Sequence, residues 1–318
     1  MSDADLVRAA AAIRAGGLVG MPTETVYGLA ANALDPAAVL RIFAAKGRPT
    51  FDPLIVHVAD AAQAWTVAQP SARARLLAQR LWPGPLTLVL PRQPIVPDVV
   101  TSGLDSVGVR CPDHPLALAL IRAAGVPLAA PSANPFGRIS PTTAAHVSEQ
   151  LGGMVALVLD GGPCRVGIES TVLLVEPVPV ILRPGGVTRE RLEELLGEPV
   201  AVADRDARAA SLPQQAPGML PSHYAPTKPL TIRGAGAPWP DDPAVGLLAF
   251  TGSDLPVTAH RVEVLSRSGD LAEAAAGLFA ALRRLDASHA IRLQAEMVPD
   301  RGLGLGINDR LRRAAGLG

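Results

Sequence analysis

The chain concentrates its chemically useful side chains where apolar runs break off. Leu18-Val19-Gly20-Met21 stops at Pro22, and Thr23-Glu24-Thr25-Val26-Tyr27-Gly28 follows at once. Hydroxyls, a carboxylate and a phenol crowded at the end of a buried strand are suited to holding something polar. Asp35-Pro36 then opens a helix, with Asp as cap and Pro in the first turn. Its apolar positions Val39, Leu40, Ile42 and Phe43 run to Lys46 and stop at Gly47. Lys46 and Arg48 therefore leave a constrained exit beside Pro49, a clamp suited to phosphate or carboxylate. The plainer reading is that Lys46 complements a helix C-terminus. Only Lys46 and Lys228 are lysines and every other basic residue is arginine, which points to a compact ammonium being wanted at position 46.

Further polar clusters recur along the chain. Asp52-Pro53-Leu54-Ile55-Val56-His57 ends a strand in histidine, and Ser106-Val107-Gly108-Val109-Arg110 ends one in arginine. Ala129-Ala130-Pro131-Ser132-Ala133-Asn134 ends another in small residues that let a ligand approach the backbone. Ser140-Pro141-Thr142-Thr143 opens a helix whose first amides could take an anion. Glu169-Ser170-Thr171 and Leu182-Arg183-Pro184-Gly185 complete the set. Singly, each has a plain explanation: Ser132 and Ser140 as turn and cap residues, Arg110 paired with a surface carboxylate, His57 as a satisfied core histidine. Together, Lys46, Arg48, Arg110 and Arg183 all stand at strand or helix exits beside Pro or Gly, an arrangement that suits a polyanion, and the hydroxyls beside them suit a small polar substrate. The sequence has no nucleophile elbow, Walker lysine loop or zinc motif; what it offers instead is this set of polar clusters at element ends.

The elements that must position these groups alternate. Helices are expected at 4–15, 36–45, 60–68, 71–81, 114–124, 142–150 and 188–196, and strands at 18–21, 54–58, 86–90, 106–110, 126–130, 155–159, 170–175 and 179–182. The last two are too close for a crossover helix and must form an antiparallel hairpin, giving an α/β fold with a twisted, mixed sheet. Residues 200–229 are rich in proline and read as a linker. Tyr224 on it is either an anchor to the surface or part of a lid over the pocket. Strands at 244–250, 260–265 and 290–298 and helices at 270–285 and 307–315 describe a smaller α/β unit. Gly302-x-Gly304-x-Gly306 has the wrong spacing for a dinucleotide fingerprint and reads as a loop.

The bulk composition favours small-molecule chemistry. At 318 residues with 48% hydrophobic and 18% charged residues, the chain has enough material for two cored domains. Residues 1–199 hold 16 Lys/Arg against 17 Asp/Glu, and residues 200–318 hold 13 against 12. A primary nucleic-acid binder usually shows a basic stripe, and none is present. No apolar run reaches membrane-spanning length, so a cytoplasmic protein with no membrane partner is expected. Cys111 and Cys164 are isolated and read as small buried hydrophobes.

Taken in order, Pro22-Thr23-Glu24-Thr25-Val26-Tyr27-Gly28-Leu29, Lys46-Gly47-Arg48-Pro49, Pro53-Leu54-Ile55-Val56-His57, Pro131-Ser132-Ala133-Asn134, Glu169-Ser170-Thr171-Val172 and Leu182-Arg183-Pro184-Gly185 resemble the L-threonylcarbamoyladenylate synthases. The whole chain is similar to their two-domain form. That form implies a YrdC-type catalytic domain (1–199), a linker bearing His223-Tyr224-Ala225-Pro226 (200–229) and a smaller Rossmann-like C-terminal domain (230–318). The resemblance implies that L-threonine, bicarbonate and ATP, with magnesium, give threonylcarbamoyl-AMP and pyrophosphate. The product would pass to a tRNA-modifying transferase complex, with weak or no direct nucleic-acid binding by this chain.

Residue by residue, the resemblance implies that Thr25, His57, Arg110, the Ala130 backbone and Ser170 hold threonine. Arg48, Asp52, Ser106, Ser132, Ser140, Arg183 and Tyr224 would line the ATP site, with Lys46 close to the phosphates, and Lys46 and Arg48 would act in catalysis. Asp52 stands where the family usually has asparagine. A carboxylate there repels phosphate unless magnesium or Arg48 neutralises it, so Asp52→Asn is expected to keep or improve ATP use. Gly218-Met219-Leu220-Pro221-Ser222 stands where relatives often carry basic residues. Two other readings remain at this point: a carbamoyl-adenylate-handling transferase of related shape, and a non-catalytic RNA- or ribosome-associated protein using the same concave fold.

Overall fold

Local signals build the scaffold. Asp35 caps α2 (Pro36–Lys46) by accepting from the amides of Ala37 and Ala38, and Gly47 ends it in the left-handed region at φ 59°. The same device, a side-chain cap followed by an apolar stripe, starts α3 (Ala61–Val67) at Asp60 and α4 (Ala72–Leu81) at Ser71. A computed structural model describes residues 3–203, 223–256 and 261–317 of the chain. The remaining helices are α1 (Asp3–Arg14), α5 (Asp98–Thr101), α6 (Pro115–Ala124), α7 (Ala144–Leu151), α8 (Arg189–Leu196), α9 (Leu271–Ala287) and α10 (Gly304–Ala314).

Among the described residues the larger sheet has ten strands. In chain order these are β1 (Val19–Met21), β2 (Gly28–Asn32), β3 (Ile55–His57), β4 (Leu86–Pro91), β5 (Ser106–Arg110), β6 (Leu128–Ala129), β7 (Leu157–Val158), β8 (Thr171–Leu174), β9 (Val180–Arg183) and β10 (Ala201–Val202). Their spatial order is β10-β9-β8-β4-β5-β3-β6-β2-β1-β7. Parallel pairs (β3 with β5, β4 with β8) alternate with antiparallel ones (β4 with β5, β8 with β9), so the sheet is mixed and the 170–183 hairpin is antiparallel, as its short connection requires. A smaller sheet of β11 (Leu230–Ile232), β12 (Val245–Ala249), β13 (Val262–Val264) and β14 (Arg292–Ala295) is parallel throughout, in the order β11-β14-β12-β13.

The two domains share a core. Val26, Ile139 and Ile168 of the larger one pack with Leu248, Phe250, Leu278 and Phe279 of the smaller one, and Tyr224 lies in the same cluster. No helix among the described residues is long and apolar enough to cross a membrane.

The structure corrects several sequence expectations. Gly28–Asn32 forms β2, because a run of small residues can pair between β1 and β6 although its composition is not strand-like. Ala201–Val202, expected in the linker, adds an edge strand beside β9. Residues 204–222, including Gly218–Ser222, lie outside the described residues, as does His260 at the start of an expected strand. The final helix begins at Gly304, so Gly304 and Gly306 are helical and not loop. Cys111 and Cys164 are free and buried, as expected.

Candidate active site

The polar loop after β1 is wound around one hydroxyl. Thr23 Oγ1 accepts from the amides of Thr25 and Val26, both at 3.2 Å, and donates to the Val26 carbonyl at 2.6 Å. This turn presents Thr25, whose Oγ1 accepts from Arg110 Nη2 at 2.9 Å. Parallel register places His57, at the end of β3, directly beside Arg110, at the end of β5. Two strands pointing the same way thus deliver an imidazole and a guanidinium to one spot. Arg110 is also ion-paired with buried Glu24 at 2.7 Å. Ala130 and Ser132 close the wall, and Gly28 faces them, where a Cβ would stand 3.2 Å from Ala130 Cβ.

A second set of cations enters from the other side. Arg183 ends β9 and donates to the Ser170 carbonyl at 3.1 Å and to Ser170 Oγ at 3.3 Å. Ser170 in turn shares a hydrogen bond with Thr87 Oγ1 at 2.8 Å. Arg48, from the α2 exit, donates to the Pro53 carbonyl at 3.0 Å and pairs with Asp52 at 2.8 Å. One cleft is lined by Thr25, His57, Arg110, Ala130, Ser132, Ser170, Arg48, Arg183, Glu169, His223 and Tyr224. Tyr224 is buried with a left-handed backbone at φ 64°, a conformation that a tyrosine keeps only where its surroundings hold it. Its hydroxyl and His223 Nδ1 have no hydrogen-bond partner among the described residues, so both are available to a ligand.

Burial tunes the titrating groups. His57 is pushed down to about 3, first by burial and then by Arg110. Its Nδ1 lies 3.3 Å from the Ile55 carbonyl, which assigns the proton of the neutral ring to Nδ1 and leaves Nε2 as an acceptor. Because the folded value lies below the usual 6.5, the unfolded chain binds more protons between about pH 3 and 6.5. Stability contributed by His57 is therefore complete above that window. On acidification it is lost at a limiting slope of about 1.4 kcal/mol per pH unit. Denaturant titrations from pH 7 to pH 4.5 should show this slope, and His57→Asn should flatten it. His223 is shifted in the same direction, chiefly by burial and then by Arg48, and adds to the slope that remains.

Three further positions differ from their expected surroundings. Lys46 is buried and does not line the cleft; its ammonium donates to the carbonyls of Ser132 and Asn134, each at 2.5 Å. Burial and then the neighbouring Arg48 hold its pKa well below the usual lysine value. Lys46 thus shapes the wall that carries Ser132, which meets the need for a compact ammonium without direct exposure to the cleft. Ser106 begins β5 while Arg110 ends it, so the strand's length separates Ser106 from the cleft end. Ser140 stands behind the wall and donates to Glu169 Oε1 at 2.5 Å. The helix opened by this segment is capped by Thr143, which accepts the His146 amide, so that end is not left wholly open to an anion.

Comparison with known proteins places this geometry. Residues 11–185 match the Sua5/YciO/YrdC family model, described as telomere recombination, and residues 187–316 match the threonylcarbamoyl-AMP synthase C-terminal domain. A Bacillus subtilis threonylcarbamoyl-AMP synthase is 44% identical, across 99% of this chain and 94% of its own. The chain belongs to the threonylcarbamoyl-AMP synthase family. It is an enzyme of that family, with the same two-domain α/β architecture. The crystal structure of Pyrococcus abyssi Sua5 complexed with L-threonine superposes with a TM-score of 0.89 at 41% identity, covering 100% of this chain and 96% of that one. A full-length HypF structure shares only the fold of the larger domain, with a TM-score of 0.51 at 22% identity over 58% of this chain.

Asp52 is the residue whose surroundings bear most directly on Arg48. Its carboxylate is buried against Arg48, so the arginine that faces the cleft is partly neutralised from within. Asp52→Asn should keep or raise activity by freeing that charge, and should lower Tm because buried Arg48 loses its counter-ion. Steady-state kinetics and thermal melts check both, and complete loss of activity would contradict the argument. Glu24 and Glu169 are not singled out as site residues by the sequence alone. The signal available was a carboxylate set among apolar residues and hydroxyls, which in a folded chain demands a cation.

Proposed function

We propose that the protein makes threonylcarbamoyl-AMP from L-threonine, bicarbonate and ATP, releases pyrophosphate, and thereby supplies the threonylcarbamoyl-adenosine modification of tRNA through a downstream transferase complex. The observation that carries this reading is the placement of Thr25, His57 and Arg110 in the same cleft as Arg48 and Arg183. One group suits a small hydroxy-amino acid and the other a polyphosphate. In this reading Arg110 takes the threonine carboxylate, His57 Nε2 and Ser170 take its polar hydrogens, and the Ala130 backbone borders it. Arg48, Arg183, Ser132 and Tyr224 face ATP, with Ser140 and Asp52 acting through Glu169 and Arg48.

The threonine nitrogen, once deprotonated, adds to the carbon of bicarbonate or carbon dioxide to give a carbamate, with water leaving when bicarbonate is the donor. A carbamate oxygen then attacks the α-phosphorus, the bond from that phosphorus to the bridging oxygen breaks, and pyrophosphate departs. Charge growing on the phosphates is met by the guanidinium groups of Arg48 and Arg183. No covalent enzyme intermediate is needed. In this reading magnesium enters with ATP as part of the substrate, and Asp52 and Glu169 are paired with arginines. Residues 1–199 form the catalytic unit in this proposal, 200–229 the linker and 230–318 the C-terminal unit. Tyr224 closes the cleft as part of a lid.

The test is pyrophosphate release by the purified chain with each substrate omitted in turn. Release that requires ATP, threonine and bicarbonate together is the expected result. ATP turnover indifferent to threonine, or salt-dependent RNA binding with no turnover, would overturn the reading.

A further inference from the structure

The Gly302-Leu303-Gly304-Leu305-Gly306 run takes no part in the chemistry above, yet it determines how α10 meets the catalytic domain. A Cβ on Gly306 would stand 2.9 Å from Ile168 Cδ1 and 3.3 Å from Gly185 Cα, so the helix reaches the 183–186 turn only because no side chain intervenes. What this approach delivers is Arg310, which is 0% exposed. Its Nε donates to Glu169 Oε2 at 2.9 Å, and its Nη1 donates to the Pro184 carbonyl at 2.5 Å and to Asp309 Oδ2 at 3.0 Å. The guanidinium carbon stands 5.3 Å from the centre of the Tyr224 ring. Glu169 uses its other oxygen to accept from Ser140.

We propose that Arg310 is a positioning residue through which the C-terminal domain sets the nucleotide end of the cleft: it fixes Glu169, and through it the Ser140 hydroxyl, together with the turn that carries Arg183 and the ring of Tyr224. The proposal rests on the ATP-dependent reading given above. A fully buried guanidinium is costly unless it is paired and hydrogen-bonded, and an apolar side chain would fill the same interface without that cost. Of the groups Arg310 touches, Glu169 and Tyr224 line the cleft, while Asp309 and the Pro184 carbonyl complete its pairing behind it, the latter in the turn that follows Arg183. Without Arg310 the Glu169 carboxylate would confront a triphosphate with its charge uncompensated. The defect falls chiefly on ATP, because the hydrogen bonds that set Thr25, His57 and Arg110 run to the first loop and the strand ends, not to α10, and of the groups given to threonine only Ser170, beside Glu169 and bonded to Arg183, lies within its reach.

The experiment uses the full chain as wild type, Arg310→Met, Arg310→Lys, Glu169→Gln and the double variant Arg310→Met/Glu169→Gln. Pyrophosphate release is measured with ATP and threonine varied separately, and threonine binding is titrated without ATP. Arg310→Met is expected to raise the KM for ATP about tenfold or more while the threonine Kd moves less than about twofold. Adding Glu169→Gln should bring the KM for ATP back to within about threefold of Glu169→Gln alone, because the repelling carboxylate is gone. An Arg310→Met KM for ATP within about twofold of wild type overturns the proposal, and so does an equal loss of threonine affinity, which marks a merely structural role. Should Arg310→Met fail to fold, Arg310→Lys carries the same comparison: it keeps the charge but lacks the fork that reaches Glu169 and Pro184 together, and an ATP KM within about twofold of wild type overturns the proposal. A wild-type chain that releases no pyrophosphate fails the functional reading and the proposal with it, whereas an active wild type with an unaffected Arg310→Met fails the proposal alone.

Discussion

Arg48→Met should lower kcat/KM for ATP by about 100- to 1,000-fold, the loss of about 2.7–4 kcal/mol of stabilisation expected when one preorganised, charge-assisted donor is removed. The reasoning is geometric. Arg48 leaves a helix stopped by Gly47, is anchored at the Pro53 carbonyl and presents its guanidinium to the cleft beside Arg183. Its place is set before any ligand arrives, so its charge acts without reorganisation. Methionine keeps the aliphatic volume and removes the charge and the donors, and because buried Asp52 then loses its Arg48 counter-ion, Tm should fall as well. Threonine titration separates a local effect from a collapsed site: its Kd should change less than about threefold, since the threonine groups hang from β3, β5 and the first loop. A loss of kcat/KM for ATP below about tenfold would remove Arg48 from the phosphate end.

Arg110→Met is expected to have two large effects with different causes. Arg110 is the buried counter-ion of Glu24, at 2.7 Å, with side-chain exposures of 4% and 0%. Removing it leaves a carboxylate in the interior without a cation, which costs about 3–5 kcal/mol of stability. It also removes the donor beside Thr25 and His57, so threonine binding should fall below detection. The double variant Glu24→Gln/Arg110→Met tells the two apart. Stability should return to within about 1–2 kcal/mol of wild type, because no unpaired charge remains, while threonine affinity stays lost. Denaturant unfolding and calorimetry read the two quantities independently. Recovery of threonine binding in the double variant would show that Arg110 serves only to neutralise Glu24.

The groups behind these two effects are unequally legible from the residues. The exits that bear Lys46, Arg48, Arg110 and Arg183 are written locally, in caps, prolines, glycines and the ends of apolar runs, and three of those four side chains line one cleft. Lys46 stands immediately behind it. Its neighbourhood followed from the helix stop, but its target did not, because the carbonyls it binds belong to Ser132 and Asn134, far along the chain. Ser106 shows the complementary limit: strand membership is readable from alternation, but which end of the strand faces a ligand depends on the sheet around it.

By itself the sequence determined the capped helices, the antiparallel 170–183 hairpin, the mixed α/β class and the polar clusters at element ends, because each depends on neighbours within a few residues. The tertiary structure alone decided that Gly28–Asn32 pairs as a strand, that Asp52 neutralises Arg48, that Glu24 belongs to Arg110, and that a glycine run brings Arg310 beneath Glu169 and Tyr224. Apart from Arg48 and Asp52, which stand four residues apart, these buried charges are matched across long stretches of chain. The requirement that each find a partner is a property of the folded interior and leaves no periodic mark on the residues themselves.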